Sequence, residues 1–299
     1  MATIFDKLKR TLRGVVLAAE PLSRHTTWRI GGPADLFVAP ADRSDLLAAL
    51  QLLSAAGIPW FPLGAGSNLL VRDGGFRGAA LYTGRMRRLQ WREGGEALAE
   101  AGVPLMTLIR GAAAMGLRGL EALAGIPGTV GGGAVMNAGA GGQDLAGVVR
   151  EVILAGSDGE ETWSAGECRF AYRASALPAD RMVSAVRLRF RPGDGAALEE
   201  EIRRRLVHRR SAHGVGGPNA GSVFKNPPGH SAWQLIAASG MRGERRGGAQ
   251  VSEVHANFIV NRGGATAADV LELIDTVRQA VKRHSGIELE PEVRIIGSS

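Results

Sequence analysis

Residues 121–142 read Glu121-Ala122-Leu123-Ala124-Gly125-Ile126-Pro127-Gly128-Thr129-Val130-Gly131-Gly132-Gly133-Ala134-Val135-Met136-Asn137-Ala138-Gly139-Ala140-Gly141-Gly142. Between Gly125 and Gly142 eight of eighteen residues are glycine, so the backbone can take positive φ and approach a bound group with no side chain in the way. Amides in such a loop suit an anion, and the phosphates of a nucleotide cofactor are the usual guest. A flexible surface linker is the alternative. Linkers favour Gly and Ser, however, whereas this run interleaves Ile126, Val130, Val135 and Met136, which favour burial. No Gly-x-Gly-x-x-Gly and no Gly-Lys-Ser/Thr occurs here, so the expected phosphate cradle is of another design.

A second glycine stretch, Leu63-Gly64-Ala65-Gly66-Ser67-Asn68-Leu69-Leu70, follows the short apolar run 58–62 and precedes Val71-Arg72-Asp73-Gly74-Gly75-Phe76. Five further stretches stand around these two. They are Arg24-His25-Thr26-Thr27-Trp28-Arg29-Ile30-Gly31-Gly32, Tyr172-Arg173-Ala174-Ser175, Gly221-Ser222-Val223-Phe224-Lys225-Asn226-Pro227, Gly247-Gly248-Ala249-Gln250-Val251-Ser252 and Glu290-Pro291-Glu292-Val293-Arg294. In this order they resemble the FAD domain of the vanillyl-alcohol-oxidase (PCMH) type and, within it, the UDP-N-acetylenolpyruvoylglucosamine reductase family. The likeness spans nearly the whole chain. It implies an α+β fold, with a two-lobed FAD-binding domain followed by an α+β substrate-binding domain.

The resemblance implies a non-covalent FAD, NADPH as co-substrate, and hydride delivery to the methylene carbon of an enolpyruvyl ether in peptidoglycan precursor synthesis. The product of that reaction is a lactyl ether. Hydride arriving at the terminal carbon drives an electron pair toward the carboxylate, so the reacting group needs a cation, an acid and donors aimed at the carboxylate. By the resemblance, Arg173 is the bidentate grip on the carboxylate, and Ser222 donates the proton to the carbon alpha to it. Glu292 assists in a protonated state, its pKa raised by burial and by the substrate. The ordinary readings are a surface arginine, a turn serine and a solvated acidic stripe of Glu288, Glu290 and Glu292. The cofactor is expected at Trp28, Gly64, Ala65, Gly66, Ser67, Asn68, Gly125, Ile126, Pro127, Gly128, Thr129, Gly131, Gly132, Ala134, Asn137 and Gly139; Trp28 suits core packing equally well. The UDP-sugar is expected at Tyr172, Lys225, Asn226, Gln250 and Asn257, with His255 undecided. Lys225 stands out because the chain has four lysines against 32 arginines.

The sequence also departs from the family pattern. Where relatives commonly carry Gln-Pro, this chain reads Ser211-Ala212-His213-Gly214-Val215-Gly216-Gly217. The insertion with which longer members close over substrate has no room between Arg173 and Met182, which places the chain in the shorter subgroup.

Composition limits the rivals. Hydrophobic content of 45% and charged content of 22% fit a globular protein, and no apolar run reaches the roughly 18 residues of a membrane span. Without a signal-peptide core near its start, the chain is expected in the cytoplasm. A single cysteine, Cys168, excludes an intrachain disulfide and, without a His/Cys cluster, points to no metal. The net charge of +7 admits nucleic-acid binding. Aromatic content of 5% leaves few stacking platforms, though, and the run Arg203-Arg204-Arg205 follows Glu199-Glu200-Glu201 as a solvated helix face would. By the resemblance, the partners expected are a UDP-sugar and NADPH, with no nucleic acid or membrane, and the chain is expected to be a monomer. Another FAD-dependent oxidoreductase of the same fold is the alternative, and a non-catalytic nucleotide-binding protein a more distant one.

Along the chain, strands are expected at 35–40, 59–63, 78–82, 97–102, 148–155, 161–164 and 182–190, and helices at 45–56 and 106–115. The alternation over 182–190 predicts a strand with one buried face. A break at Arg191-Pro192-Gly193-Asp194-Gly195 sets the domains at 1–193, with lobes of about 1–84 and 85–193, and 194–299. The second domain is expected to hold helices at 197–210, 232–239 and 267–284, and strands at 222–224, 255–260 and 288–296. The last strand is free to return to the FAD domain.

Overall fold

The computed structural model describes residues 3–212 and 214–299; His213, part of the departing stretch noted above, lies outside them. Contacts divide the chain into two units. The first runs to Ala18 and takes in Leu36–Ala65 and Gly78–His208; the second comprises Ala19–Asp35, Gly66–Arg77 and Arg209–Ser299. The composition break suggests a boundary after residue 193. Helix Gly195–Ala212 nevertheless stays largely with the first unit, because Leu198 and Ile202 are buried in the same core as Ile109, Ala112 and Ala113.

Helix α1, Ile4–Thr11, starts at a capping box in which the Thr3 hydroxyl accepts the Asp6 amide. Helix α2, Arg43–Ala55, starts at Asp42, whose carboxylate accepts the Asp45 amide. A four-stranded sheet carries α2, in the order Val15–Pro21, Pro33–Ala39, Phe76–Tyr82, Trp60–Leu63. Its Trp60–Leu63 strand runs parallel to Phe76–Tyr82, and the glycine loop that begins at Gly64 leaves its C-terminal end.

A second, five-stranded antiparallel sheet is ordered Gly159–Ser164, Val149–Gly156, Met182–Arg189, Glu96–Glu100, Leu89–Arg92. The expectation of one buried face on the 182–190 strand is corrected here. Residues 182–186 are all buried because the strand lies at the centre of its sheet, and only at Arg187 and Arg189 does the polar side reach solvent. Val183, Val186 and Leu188 join one core while Met182 joins the core under α1 and α2. Helix α3, Leu105–Ala114, packs into the first of these cores.

The central glycine run holds a helix that its composition argues against: α4, Val130–Met136, contains three glycines. Neighbouring backbone fixes it. Val130 and Gly131 donate to the carbonyls of Val103 and Ala101, at 2.8 and 2.9 Å. A Cβ on Gly131 would sit 2.7 Å from that of Ala101, so only glycine permits the approach. Helix α5, Gly195–Ala212, carries Glu–Arg pairs one turn apart, Arg203 to Glu200 and Arg205 to Glu201 at 2.6 Å each, as a solvated face should.

In the second unit, helices α6, Ala232–Ala238, and α7, Ala267–Ser285, enclose a core with Trp28, Val223 and Phe224. Three short strands, Arg245–Arg246, Ala249–Val251 and Ile259–Asn261, form an antiparallel sheet. The first turn of α7 is held twice, by the Thr266–Asp269 capping box and by Asp73, whose carboxylate accepts the Ala267 and Ala268 amides at 2.8 and 3.0 Å. The strand expected over 288–296 is confined to Arg294–Ile296, which pairs in parallel with Leu69–Val71. Pro291 lacks the amide a longer ladder needs, and Glu288 and Glu290 are drawn instead to Arg278, Lys282 and Lys225. Likewise 222–224 contributes only a bridge at Phe224, and of 255–260 only the end becomes strand, since the Ser252 hydroxyl captures the Val254 and His255 amides in a turn.

Candidate active site

The two glycine loops meet within the first unit. Gly64 lies against Thr129 so closely that a Cβ there would stand 2.8 Å from the threonine hydroxyl. Thr129 caps α4, its hydroxyl facing the Gly132 amide at 3.4 Å. Positive φ at Gly125 (84°) and Gly128 (153°) turns the loop into this contact. Among the described residues the amides of Gly64, Ala65, Gly125 and Gly128 have no hydrogen-bond partner, and all four residues keep some exposure. A bare backbone surface with donors left over fits the phosphates of a dinucleotide. Ile126 is half-buried beside it, Pro127 exposed, and Ala134 buried on the inner side of α4. Glu121, just before the loop, accepts from the Gly119 amide at 2.7 Å and the Gln143 side chain at 2.8 Å. Burial works against its charge. The amides of Gly119, Leu120 and Glu121 itself, with Gln143, outweigh burial and hold its pKa below the usual range.

Gly66, Ser67 and Asn68 belong to the second unit. Gly66, at φ 61°, packs so tightly on the His25 carbonyl that a Cβ would lie 2.0 Å from it, and its own carbonyl accepts the Thr27 amide. Trp28, weighed between cofactor and core, has its side chain in the core. It is fully buried, its indole N–H donates to the Ile259 carbonyl at 2.7 Å, and Asn261 holds its carbonyl. Asn68 donates its side-chain amide to the Glu292 carbonyl at 3.1 Å.

Arg173 sits at the tip of a two-residue turn closed by Ala171 and Ala174, which exchange hydrogen bonds of 3.0 and 3.2 Å. Its φ is 55°, a left-handed conformation usually left to glycine or asparagine. The guanidinium lies over the Tyr172 ring, 5.1 Å from its centre, and the ring is 55% exposed. Asn137, expected at the cofactor, is buried, with its side-chain amide bonded to Asp144, Ala146 and Ala171. Nearby Cys168 is buried and its thiol is pushed to about 11, chiefly by burial and further by Glu167, so it is no nucleophile at neutral pH.

In the second unit the serine and glutamate segments run side by side. The Glu292 amide donates to the Val223 carbonyl at 2.7 Å, Phe224 bridges Pro291, and the Lys225 amide donates to the Glu290 carbonyl at 2.9 Å. Ser222 and Glu292, far apart in sequence, are thereby set at one place on the backbone, each half-buried. Lys225, expected at a substrate phosphate, pairs with Glu290 at 2.6 Å, and Asn226 caps the first turn of α6 through the Ala232 amide.

Two residues expected at the substrate, Asn257 and Gln250, are buried. Asn257 is 4% exposed; its oxygen accepts the Phe224 amide at 2.9 Å and its nitrogen donates to the Phe224 carbonyl at 2.8 Å. Gln250 is 2% exposed, donating to the Gly243 carbonyl and accepting from Arg262. Both amides are thus committed to the protein itself. The His255 ring lies tilted against Trp233 at 6.0 Å and edge-on to Phe258 at 4.8 Å.

A glycine cradle at the end of a parallel strand, with a second glycine loop folded onto it, fits a dinucleotide; residues 34–157 match the family described as FAD binding domain, and with the relatives that follow this defines an FAD-binding oxidoreductase. Residues 212–296 match a second family, described as UDP-N-acetylenolpyruvoylglucosamine reductase, C-terminal domain. The chain is 54% identical over 299 residues to the UDP-N-acetylenolpyruvoylglucosamine reductase of Syntrophotalea carbinolica, covering all of both chains. It is 47% identical over 291 residues to that of Geobacter sulfurreducens, covering 97% of each. Its structure is similar to the crystal structure of the Thermus caldophilus reductase, with a TM-score of 0.80, 34% identity, and 95% and 99% of the two chains covered. The chain belongs to the UDP-N-acetylenolpyruvoylglucosamine reductase family. No helix among the described residues is long and apolar enough to cross a membrane.

Proposed function

We propose that this chain reduces UDP-N-acetyl-3-O-(1-carboxyvinyl)-glucosamine to UDP-N-acetylmuramate in peptidoglycan precursor synthesis, with NADPH as electron donor and a non-covalent FAD. The observation that supports the reading is the hydrogen bond from the Glu292 amide to the Val223 carbonyl, which joins the backbone segments that carry Ser222 and Glu292. FAD, when bound, would supply the redox chemistry that links NADPH to the enolpyruvyl methylene carbon. Gly64, Ala65, Gly125 and Gly128 hold its phosphates through their amides, and neither glycine loop contains a His or Cys to tether it. Arg173 grips the substrate carboxylate bidentately as negative charge builds there. Ser222 gives its proton to the carbon alpha to that carboxylate, and Glu292 supports it. Lys225 exchanges Glu290 for a substrate phosphate, an exchange open to it because Glu290 is itself exposed. Work in the cytoplasm as a monomer completes the reading.

Ser222→Ala separates the half-reactions. NADPH should bleach the flavin at the wild-type rate, while formation of the lactyl ether slows by roughly two to four orders of magnitude, the worth of a positioned general acid. Anaerobic stopped-flow absorbance with product quantified alongside follows both. Lactyl ether formed at the wild-type rate refutes the role of Ser222, and colourless purified protein refutes the flavin.

A further inference from the structure

Asn137 is a residue whose backbone asks for glycine. Its φ of 41° closes α4 in the left-handed region, where glycine is the commonest choice and asparagine the next. An amide side chain therefore needs another reason to be there. It is 3% exposed, and both ends of its amide are bonded. The nitrogen donates to Asp144 at 3.0 Å and to the Ala171 carbonyl at 3.1 Å, and the oxygen accepts the Ala146 amide at 3.0 Å. Ala171 is the residue that opens the turn carrying Tyr172 and Arg173. On the far side of the turn, the Ser175 hydroxyl donates to the Val135 carbonyl, again on α4, at 2.8 Å.

Arg173 itself is in a left-handed conformation, which a non-glycine residue keeps only when its surroundings over-determine it. The two ties from α4 supply that determination, one before the turn and one after. We propose that Asn137 is a positioning residue for Arg173, its amide serving the arginine turn and not the cofactor; this rests on the reading of Arg173 as the carboxylate grip. Helix α4 then has one end in the glycine cradle at Thr129 and the other in the arginine turn. A guanidinium that must meet a carboxylate in two parallel bonds tolerates little drift, since misplacement by about 1 Å costs about a hundredfold in rate.

Asn137→Gly tests this directly. Glycine suits the backbone at that position, so the helix end persists while the amide is lost. The expected result is unchanged FAD content and unchanged flavin reduction by NADPH, with re-oxidation by the enolpyruvyl sugar slowed roughly 10- to 100-fold. Ser175→Ala, which cuts the other tie, should show the same selective loss to a smaller extent. In an Arg173→Ala background, Asn137→Gly should add no further loss, the mark of two residues acting as one. Additive losses in the double variant, wild-type re-oxidation in Asn137→Gly, or equal slowing of both half-reactions with loss of FAD each overturn the proposal. Wild-type re-oxidation by Arg173→Ala alone overturns instead the reading of the arginine on which it rests.

Discussion

Asn257→Ala is the perturbation whose size follows most directly from the structure. Asn257 bonds both main-chain groups of Phe224, the residue two beyond Ser222, and Phe224 is 2% exposed. Alanine leaves that amide and that carbonyl buried without partners, at about 1–3 kcal/mol each, while the bond from the Val223 amide to the Asn257 carbonyl survives. A loss of about 2–6 kcal/mol follows, a large share of the stability of an ordinary domain. Urea denaturation followed by circular dichroism, with FAD held at one saturating concentration, measures it. Asn257→Asp adds a check with a sign. An ionised carboxylate can still accept the Phe224 amide but repels the Phe224 carbonyl, so burial and repulsion raise the pKa of the introduced carboxyl in the folded state. Such a group destabilises increasingly as pH rises above its unfolded value near 4, and the variant should regain stability on acidification, when the neutral acid donates to the carbonyl. A loss below about 0.5 kcal/mol in the alanine variant, within the range of an ordinary surface change, would show that the two bonds are not what holds the segment.

Three further outcomes are expected. Gly64→Ala should weaken FAD binding tenfold or more in a fluorescence titration, since its Cβ meets the Thr129 hydroxyl at 2.8 Å, and Thr129→Ala in the same chain should restore part of the loss because the next atom stands at 3.8 Å; unchanged affinity in the single variant removes the loop contact from the site. The folded-state pKa of Glu121 is lowered, so its stabilisation is present above the unfolded pKa and lost as pH falls through the folded one; Glu121→Gln should flatten the acid limb of stability measured by urea from pH 7 to 3, and an unaltered limb refutes this. Cys168, buried with its thiol near 11, should resist iodoacetamide at pH 7.5 in the native protein and react fully after denaturation, as mass spectrometry will show; prompt native labelling contradicts the burial.

Local signals found the elements whose reasons are local. Helix α7 was legible from its apolar spacing and ends at Gly286 in the left-handed turn that closes helices. The 149–156 strand was legible from its β-branched run. Helix α4 was not, because its stability lies in the carbonyls of Ala101 and Val103 and in a contact only glycine allows. The last strand was expected to be free to return to the first domain, but its partner, Leu69–Val71, was not legible, because three residues meet three across most of the chain and neither stretch is long enough to show a period. The glycine loops were readable as cofactor loops from composition and likeness, but not that Gly64 and Thr129 touch. Asn257, Gln250 and Asn137 were legible as unusual polar residues, but not their bonds to the backbone, since an amide that serves the backbone looks in sequence like one that serves a ligand.

The burial of these residues has a physical pattern. The three inward-turned residues are all neutral amides, whereas the charged candidates Arg173, Lys225 and Glu292 remain partly exposed. A neutral amide carries donors and an acceptor on one short stem, so it can bond a peptide group completely and be buried at little cost. A guanidinium or ammonium cannot, because burial away from a partner costs several kcal/mol. A site that must offer charge to a polyanionic substrate is therefore built in two tiers. Charged groups stand where solvent keeps them until substrate arrives, and buried amides fix the backbone from which they stand. On the proposed reading, Arg173 on a turn tied through Asn137, and Lys225 next to the Phe224 backbone tied through Asn257, are two instances. Conservative changes should then separate by tier: replacing an amide alters stability and placement together, while replacing a charge alters affinity and rate in a fold that stays intact.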